Sequence, residues 1–326
     1  MSLNENLRPQ ADAVVKSAPL VSVVICTHNR ANYLFKAIQS AVNQSYPKND
    51  YEIIIVDNAS TDQTADLVRK FHDVGNLRYV HEPKLGISFA RNTGWNVAAG
   101  RFIAYLDDDA VASPEWVSAV ERAFKLAPSA GAVGGRVDAI WEAKRPEWLE
   151  DDLVMSLGLI DWSDKPKYIP DLRMEWLVTA NMAVPAAVLT EIGGFETRLG
   201  RVGKTQVRGE DTFFQKQIIR RGHPCFYYPD MLVGHHVPAS RLNKPWFRKR
   251  YYTQGIADAL TQMVEEEPSV TRRMSMALSM TVDLILSPGK ILSLLLPAMS
   301  PSRFTKKCLA LITLGHITGL LTARRQ

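Results

Sequence analysis

The sequence predicts an α/β fold, a mostly parallel Rossmann-like sheet with helices on both faces, followed by a helical C-terminal segment. Runs of strand length that are apolar throughout, rather than alternating, mark strands covered on both sides. Val21-Ser-Val-Val-Ile25, Glu52-Ile-Ile-Ile-Val56 and Phe102-Ile-Ala-Tyr-Leu106 are such runs. Helical periodicity occupies the intervals between them. At 326 residues, 46% hydrophobic and 22% charged, the composition is that of an ordinary globular chain. It suits one large α/β domain with an appendage, or two domains.

The first run ends in the polar turn Cys26-Thr-His-Asn-Arg30, and Leu34, Ile38, Ala41 and Val42 follow at helical spacing. Pro47 and Asn49-Asp50 break that helix before the second strand, which ends at Asp57-Asn-Ala-Ser60. Ser60-x-x-Gln63 has the form of a capping box opening a helix over residues 62–71. Leu77 to Val80 reads as a third strand and Gly86 to Ala99 as a helix capped by Gly100. The fourth strand, Phe102 to Leu106, ends in Asp107-Asp108-Asp109.

Beyond it, Pro114 opens a helix carrying Trp116, Val117, Val120 and Phe124, which leads to Ala132-Val-Gly-Gly135. Residues 141–170, rich in Trp, Pro and acids and without a period, predict an irregular loop or lid. Glu175 to Val184 reads as a strand, Gly193-Gly-Phe195 as a turn, and Arg198 to Gly209 as a basic loop. A helix follows from Glu210-Asp211 through Arg221 to the stop at Gly222. The strand Cys225–Tyr228 then runs toward Gly234-His235-His236.

Charge is unevenly placed. Residues 241–326 carry 13 Lys and Arg against 5 Asp and Glu, whereas the whole chain nets +5. The apolar stretches Met274 to Met299 and Cys308 to Ala323 are bounded by Arg303, Lys306, Lys307, Arg324 and Arg325. Neither reaches the roughly 20 uninterrupted apolar residues of a membrane span. They suit helices lying on an anionic cytoplasmic leaflet, with packing on the α/β domain or a dimer interface as the plain alternatives. No nucleic-acid partner is expected. Cys26, Cys225 and Cys308 are far apart and without metal-ligand spacing, so a reducing compartment is expected. Met1 to Leu20 lacks an apolar core and cleavage signature, so residues 1–19 read as a disordered lead-in rather than a secretory signal.

In open α/β sheets ligands bind outside the carboxyl ends of the strands. Here those ends carry Thr27 and Arg30, Asp57, and the Asp107–Asp109 triplet. Adjacent carboxylates repel unless a cation or donor-rich ligand joins them, and hard oxygen ligands suit Mg²⁺ or Mn²⁺. An acidic turn is the plain alternative. No Gly-x-Gly-x-x-Gly or Walker loop follows the first strand. A nucleotide would therefore be held by side chains and a metal rather than a glycine cradle.

Six short motifs now stand in a telling order: Val23-Val-Ile-Cys-Thr-His-Asn-Arg30, Ile55-Val-Asp-Asn-Ala-Ser60, Gly86-Ile-Ser-Phe-Ala-Arg-Asn-Thr-Gly94, Tyr105-Leu-Asp-Asp-Asp109, Gly193-Gly-Phe195 and Gly209-Glu-Asp211. In this order the chain resembles family 2 glycosyltransferases of the GT-A nucleotide-diphospho-sugar transferase fold over about residues 20–240. The resemblance implies a catalytic domain over 20–240, with a nucleotide-binding half at 20–110 and an acceptor-binding half at 111–240. The basic, apolar region 241–326 lies outside it.

The resemblance further implies an inverting, metal-dependent transfer of a single sugar from a nucleotide-sugar to a glycan or lipid-linked acceptor, in surface polysaccharide or glycolipid assembly. Thr27 and Arg30 would border the base and diphosphate, and Asp57 would hydrogen-bond the base. Uridine is favoured, with thymidine and guanosine also compatible. Arg91 would lie near the nucleotide and the metal-binding turn. Asp107 would contact the ribose with Asp108 beside it, and Asp109 would hold Mn²⁺ or Mg²⁺. Asp211 would be the general base with Glu210 next to it, although Glu-Asp at a helix start also serves simply as a cap. Either His235 or His236 would supply a further metal ligand, or the two form a solvated pair.

Other side chains carry weaker readings. His28 would be a turn residue packing on the nucleotide. Trp141, Trp148, Trp162 and Trp176 are candidates for stacking on sugar or for the core. Arg198, Arg201, Lys204 and Arg208 would grip a diphosphate or an anionic acceptor, or form a solvated loop. Gln217-Ile-Ile-Arg220-Arg221 is similar to the Gln-x-x-Arg-Trp signature of processive synthases but lacks its Trp, which argues for one bond per turnover. Two competing functions are a nucleotidyltransferase, which would want a glycine-rich loop after the first strand, and an inactive membrane-tethered carbohydrate binder, which would not need Asp107, Asp109 and Asp211 together.

Overall fold

Residues 18–202 and 208–322 are described in the computed structural model. The expected lead-in lies outside them up to residue 17, as do Lys204, Ala323, Arg324 and Arg325. β1 (Val21–Thr27), α1 (Ala31–Val42), β2 (Tyr51–Asn58), α2 (Thr64–Arg69), β3 (Leu77–Glu82), α3 (Ile87–Val97) and β4 (Phe102–Asp107) keep the alternation expected of the first half. The apolar runs are buried, as strands covered on both faces must be.

Two local expectations fail here. Ser60 and Gln63 form no capping box: Gln63 holds the cap position with no side-chain hydrogen bond. Asp62 Oδ1 instead accepts the Thr64 N–H at 3.0 Å. Ser60 is drawn elsewhere, accepting from the Asn29 N–H at 2.9 Å and donating its own N–H to Asp57 at 3.0 Å. Gly100 does not cap α3, which ends at an extended Ala98. The glycine is needed because a Cβ would lie 2.5 Å from the Ser22 backbone nitrogen.

The chain continues through β5 (Ala110–Ala112), α4 (Trp116–Leu126), β6 (Ala132–Gly134), β7 (Val137–Trp141), α5 (Asp151–Val154), β8 (Lys167–Tyr168), β9 (Asn181–Pro185), α6 (Ala186–Ile192), α7 (Glu210–Arg220), β10 (Cys225–Tyr227) and β11 (Val233–Val237). The irregular stretch 141–170 holds only short elements, as expected. The strand expected from Glu175 begins only at Asn181. The reason lies at Leu177, whose N–H and C=O are both taken by the Gln215 side chain, at 2.8 and 2.9 Å, rather than by a neighbouring strand. His235 and His236 do not follow the last strand; they lie on it, in β11.

The main sheet has the order β3-β2-β1-β4-β9-β6-β10-β8. β9 runs antiparallel between β4 and β6, and β8 antiparallel to β10; the other pairings are parallel. Register places Thr27 beside Asp57 and Cys26 beside Asp107, so the polar ends of β2, β1 and β4 share one edge. A second sheet, β5-β11-β7, sits past that edge. One apolar core lies under α1 and α4, the other under α3, α6 and α7.

The C-terminal part is helical: α8 (Lys244–Glu266), α9 (Val270–Ile285), α10 (Pro288–Leu295) and α11 (Pro301–Thr322). α8 and α11 meet at Gly255 and Gly315, where a Cβ would strike the Ile312 and Tyr252 carbonyls of the facing helix. Trp148 packs edge-on against Phe247 of α8 and Phe304 of α11, at 5.3 and 5.1 Å, joining these helices to the 141–170 segment. α9 and α10 are less well covered. Only Ala277 of α9 is fully buried, while Met274, Leu278, Val282 and Ile285 fall on one exposed helical face. No single described helix is long and apolar enough to cross a membrane; α9 and α10 together pass by length and composition but bend by 84°.

Candidate active site

The common edge of β1, β2 and β4 opens a cavity of about 150 Å³, walled by Cys26, Thr27, His28, Arg30, Asn58, Leu85, Ile87, Arg91, Asp107, Asp108 and Arg201. Five of the expected site residues, Thr27, Arg30, Arg91, Asp107 and Asp108, therefore share one wall. Asp57 lies behind it, buried, accepting from the Ser60 N–H at 3.0 Å and the Tyr79 hydroxyl at 2.6 Å. Burial and that bond push the Tyr79 phenol up to about 12. His28 is fixed as a turn residue by a 2.7 Å contact with the Asn58 carbonyl.

The acidic triplet is divided by its partners. Asp108 accepts from the Thr27 hydroxyl at 2.8 Å and pairs with Arg30 Nη1 at 2.8 Å. Burial, with Asp109 and Asp107 alongside, pushes its carboxyl up to about 7 despite Arg30. Asp109 faces the other way. Register in the small sheet sets His235 opposite Ala110, and the Asp109 carbonyl accepts the His236 N–H at 2.9 Å. His235 Nε2 then stands 3.2 Å from Asp109 Oδ1, while Arg30 Nη2 lies 2.6 Å from Oδ2. Burial alone would raise Asp109, but His235, Arg30 and Arg241 hold it well below the usual carboxylate range.

Asp107, Asp109 and His235 bring one ligand atom each within 4.8 Å of one another. Two carboxylate oxygens and an imidazole suit Mn²⁺ well and Mg²⁺ through its oxygens. His236 is not in this group. Neighbours on a strand point to opposite faces, and its ring instead meets Tyr33 at 5.5 Å and Glu142 at 3.5 Å.

Arg91 of α3 connects this group to α7. Its Nη1 donates to Asp211 Oδ1 at 2.9 Å and Glu210 Oε1 at 3.1 Å, and its Nη2 lies 3.8 Å from Asp107. The same nitrogen donates to the Thr179 hydroxyl. Burial would lower Arg91, but Asp211, Glu210 and Asp107 keep it firmly protonated. The Asn92 amide exchanges two 2.8 Å hydrogen bonds with the Phe195 backbone, and Arg91 lies over the Phe195 ring. The Ala-Arg-Asn and Gly-Gly-Phe motifs are thus two sides of one support.

Glu210 and Asp211 differ in access. The Asp211 side chain is 27% exposed and the Glu210 side chain 7%. Asp211 accepts from the Thr179 hydroxyl at 3.0–3.1 Å and from its N–H at 3.3 Å. Burial and the Asp211 charge push Glu210 up, against Arg91. Asp211 is therefore a held carboxylate with an open side; Glu210 is mostly enclosed.

A family model described as glycosyl transferase family 2 matches residues 22–191. This chain belongs to glycosyl transferase family 2. Among its relatives, the glucosyl-dolichyl phosphate glucuronosyltransferase of Haloferax volcanii is 25% identical over 253 residues, 76% of this chain and 79% of the relative. A validoxylamine A glucosyltransferase of Streptomyces hygroscopicus subsp. jinggangensis is 30% identical over 202 residues, 55% of this chain and 47% of its own length. A mannosyltransferase of Pyrobaculum calidifontis, solved with GDP-Man and Mn²⁺, superposes with a TM-score of 0.60 at 21% identity, covering 96% of this chain and 90% of that one. This likeness establishes the GT-A fold, as the family membership leads one to expect.

Within the family 2 site, Thr179 and Tyr79 are contacts that sequence reading missed. Both act on carboxylates far along the chain, Thr179 on Asp211 and Tyr79 on Asp57, and a Thr in a turn or a Tyr on an edge strand carries no local signal. The four tryptophans pack on protein. Trp162 donates to the Trp176 carbonyl at 2.8 Å and the two rings meet edge-on, Trp148 is held by Phe247 and Phe304, and Trp141 is packed against the core. Arg198 pairs with Glu196 at 2.9 Å.

Proposed function

We propose that this family 2 enzyme transfers one sugar, with inversion, from a nucleotide-sugar to a glycan or lipid-linked acceptor, with a UDP-sugar favoured as donor. One observation carries the reading: Arg91 bridges the Asp107-Asp109-His235 group to Asp211, so a leaving-group site and a proton acceptor face one space. The nucleotide would lie along the 20–110 half, Thr27 and Arg30 against base and diphosphate, Asp107 and Asp108 toward the ribose, and Asp57 with Tyr79 at the base. A carboxylate accepts several hydrogen bonds, so Asp57 retains room for a base N–H. Asp107, Asp109 and His235 would hold Mn²⁺ or Mg²⁺, which would supply positive charge against the departing diphosphate.

Asp211 takes the proton from the acceptor hydroxyl. Arg91 and Thr179 fix the orientation of its carboxylate, and Glu210 keeps Arg91 in place beside it. Attack from the face opposite the leaving group inverts the anomeric centre. The dolichyl phosphate named in the Haloferax volcanii relative supports a lipid-linked acceptor entering through the 111–240 half. The nucleotide is decided by calorimetric titration with UDP, GDP and dTDP, each with Mn²⁺ and with EDTA. One diphosphate binding only with metal is the expected result; no binding of any of them would sink the reading.

The 241–326 region would rest on the inner leaflet of a membrane. Leu278, Ile285, Leu286, Leu292, Leu295 and Met299 are exposed, and each forgoes up to about 1.5–3 kcal/mol by staying in water. Arg272, Lys290, Arg303 and Lys306 are exposed around them. Cosedimentation with phosphatidylglycerol vesicles should exceed that with phosphatidylcholine vesicles and fall sharply in a Leu278→Glu/Leu286→Glu variant. Equal recovery of wild type and variant would put this face against protein instead.

A further inference from the structure

We propose that Arg208, Arg241 and Arg250, with Arg201 at their border, form a second anion site that holds a phosphate carried by the acceptor. The proposal rests on the glycosyl-transfer reading above and adds the group by which the acceptor is recognised.

The residues come together through packing of the α7 start on α8. A Cβ at Gly209 would lie 2.5 Å from Thr261 Oγ1 and 3.7 Å from the Ala257 carbonyl, so Arg208 enters against α8 about two to three turns beyond Arg250. Arg250 is buried, its Nη1 donating to Gln254 at 2.8 Å and its Nε to the Ser156 carbonyl at 3.4 Å. Arg241, just before α8, reaches within 3.8 Å of Asp109 Oδ2. Arg201 stands in the donor cavity wall. Burial, and then the charges of Arg201, Arg250 and Arg241, pull Arg208 well below its ordinary value; burial and Arg201 bring Arg250 down to about 10.

Buried like charges that act on one another call for a counter-charge, and the nearby carboxylates are engaged by other cations or reach them only through a neutral amide. Asp109 is held by Arg30 and His235 and Glu210 by Arg91, while Asp258 reaches Arg250 only through Gln254, which accepts from Arg250 and donates to Asp258 at 2.8 Å each. Among the described residues, Arg201, Arg208 and Arg250 make no ion pair. Arg208 Nε is closed off from solvent with no hydrogen-bond partner. Desolvated donors left unpaired are costly, and a ligand that satisfies them recovers that cost.

Position and chemistry select the ligand. Arg208 and Arg250 are absent from the donor cavity wall, and Arg208 stands two residues before Glu210, beside the proposed base, where the acceptor must enter. Several guanidinium forks match the oxygens of a phosphate better than the single charge of a sugar carboxylate. α11, which packs along α8, carries the helices with the exposed apolar face, so a phosphate beside α8 would sit between the reacting sugar and a lipid tail.

The test is titration with farnesyl phosphate, farnesol and inorganic phosphate, with Mn²⁺ and the bound nucleoside diphosphate already saturating. Farnesyl phosphate should bind, and its affinity should fall about tenfold or more in Arg208→Gln and in Arg250→Gln, while nucleoside diphosphate affinity stays within about twofold. Arg208→Lys, which keeps the charge and loses the fork, replaces Arg208→Gln if thermal melting shows that variant unfolded. Inorganic phosphate with the same arginine dependence would show that the phosphate is read without the lipid. Three results would overturn the proposal: farnesol binding as well as farnesyl phosphate, no binding of farnesyl phosphate, or phosphate and nucleotide affinities falling together. If no nucleoside diphosphate binds, the donor reading fails on its own, and farnesyl phosphate titrated alone still decides the arginine site.

Discussion

Asp211→Asn is expected to lower sugar transfer by about 10²–10⁴-fold, the usual contribution of a positioned general base, while leaving nucleoside diphosphate binding intact. The substitution keeps the shape of the side chain and removes its basicity. Asp211 is held by Arg91 on Oδ1 and by the hydroxyl and N–H of Thr179, so an Asn whose oxygen faces Arg91 keeps that bond and can donate its NH2 to the Thr179 hydroxyl, losing only the 3.3 Å bond from the Thr179 N–H. Glu210→Gln should cost less, because Glu210 is nearly enclosed and its carboxyl is already pushed toward the neutral form by burial and by Asp211. Its loss would act through Arg91, which would keep Asp211 and Asp107 as partners. Release of nucleoside diphosphate from the nucleotide-sugar, measured beside binding, separates the two. A larger loss in Glu210→Gln than in Asp211→Asn would assign the base to the wrong carboxylate.

What could be read from the sequence was what the local chain decides. Buried parallel strands are apolar throughout, so β1, β2 and β4 declared themselves, and their ends placed Thr27, Arg30 and Asp107–Asp109 on one edge. Choices made between distant segments were hidden. Ser60 gave up its capping role because Asn29 and Asp57 compete for it. The strand expected from Glu175 lost its first half because Gln215, 38 residues on from Leu177, satisfies that backbone. The same limit covers Thr179, whose value to the site depends on Asp211 folding back against it. His235 and His236 were indistinguishable by type; only the pairing of β11 with β5 decides which faces Asp109.

That pairing leads to the second large effect. Asp109→Ala should abolish metal-dependent binding of the nucleoside diphosphate, and His235→Ala should weaken Mn²⁺ by at least the 10–100-fold, roughly, that loss of a supporting residue alone causes. His236→Ala should leave Mn²⁺ affinity close to wild type, since its ring lies against Tyr33 and Glu142 on the opposite face. Titration of Mn²⁺ into each variant, followed by calorimetry or by the signal of the free ion, makes the comparison. Asp109→Ala also frees Arg30, which would turn wholly to Asp108 at 2.8 Å. Asp109→Asn, which keeps a hydrogen-bond acceptor near Arg30, separates loss of a ligand from loss of that restraint. If His236→Ala costs as much Mn²⁺ affinity as His235→Ala, the ion sits nearer Glu142 than Asp107, and the link through Arg91 from the leaving group to Asp211 would no longer run through the metal's own ligand.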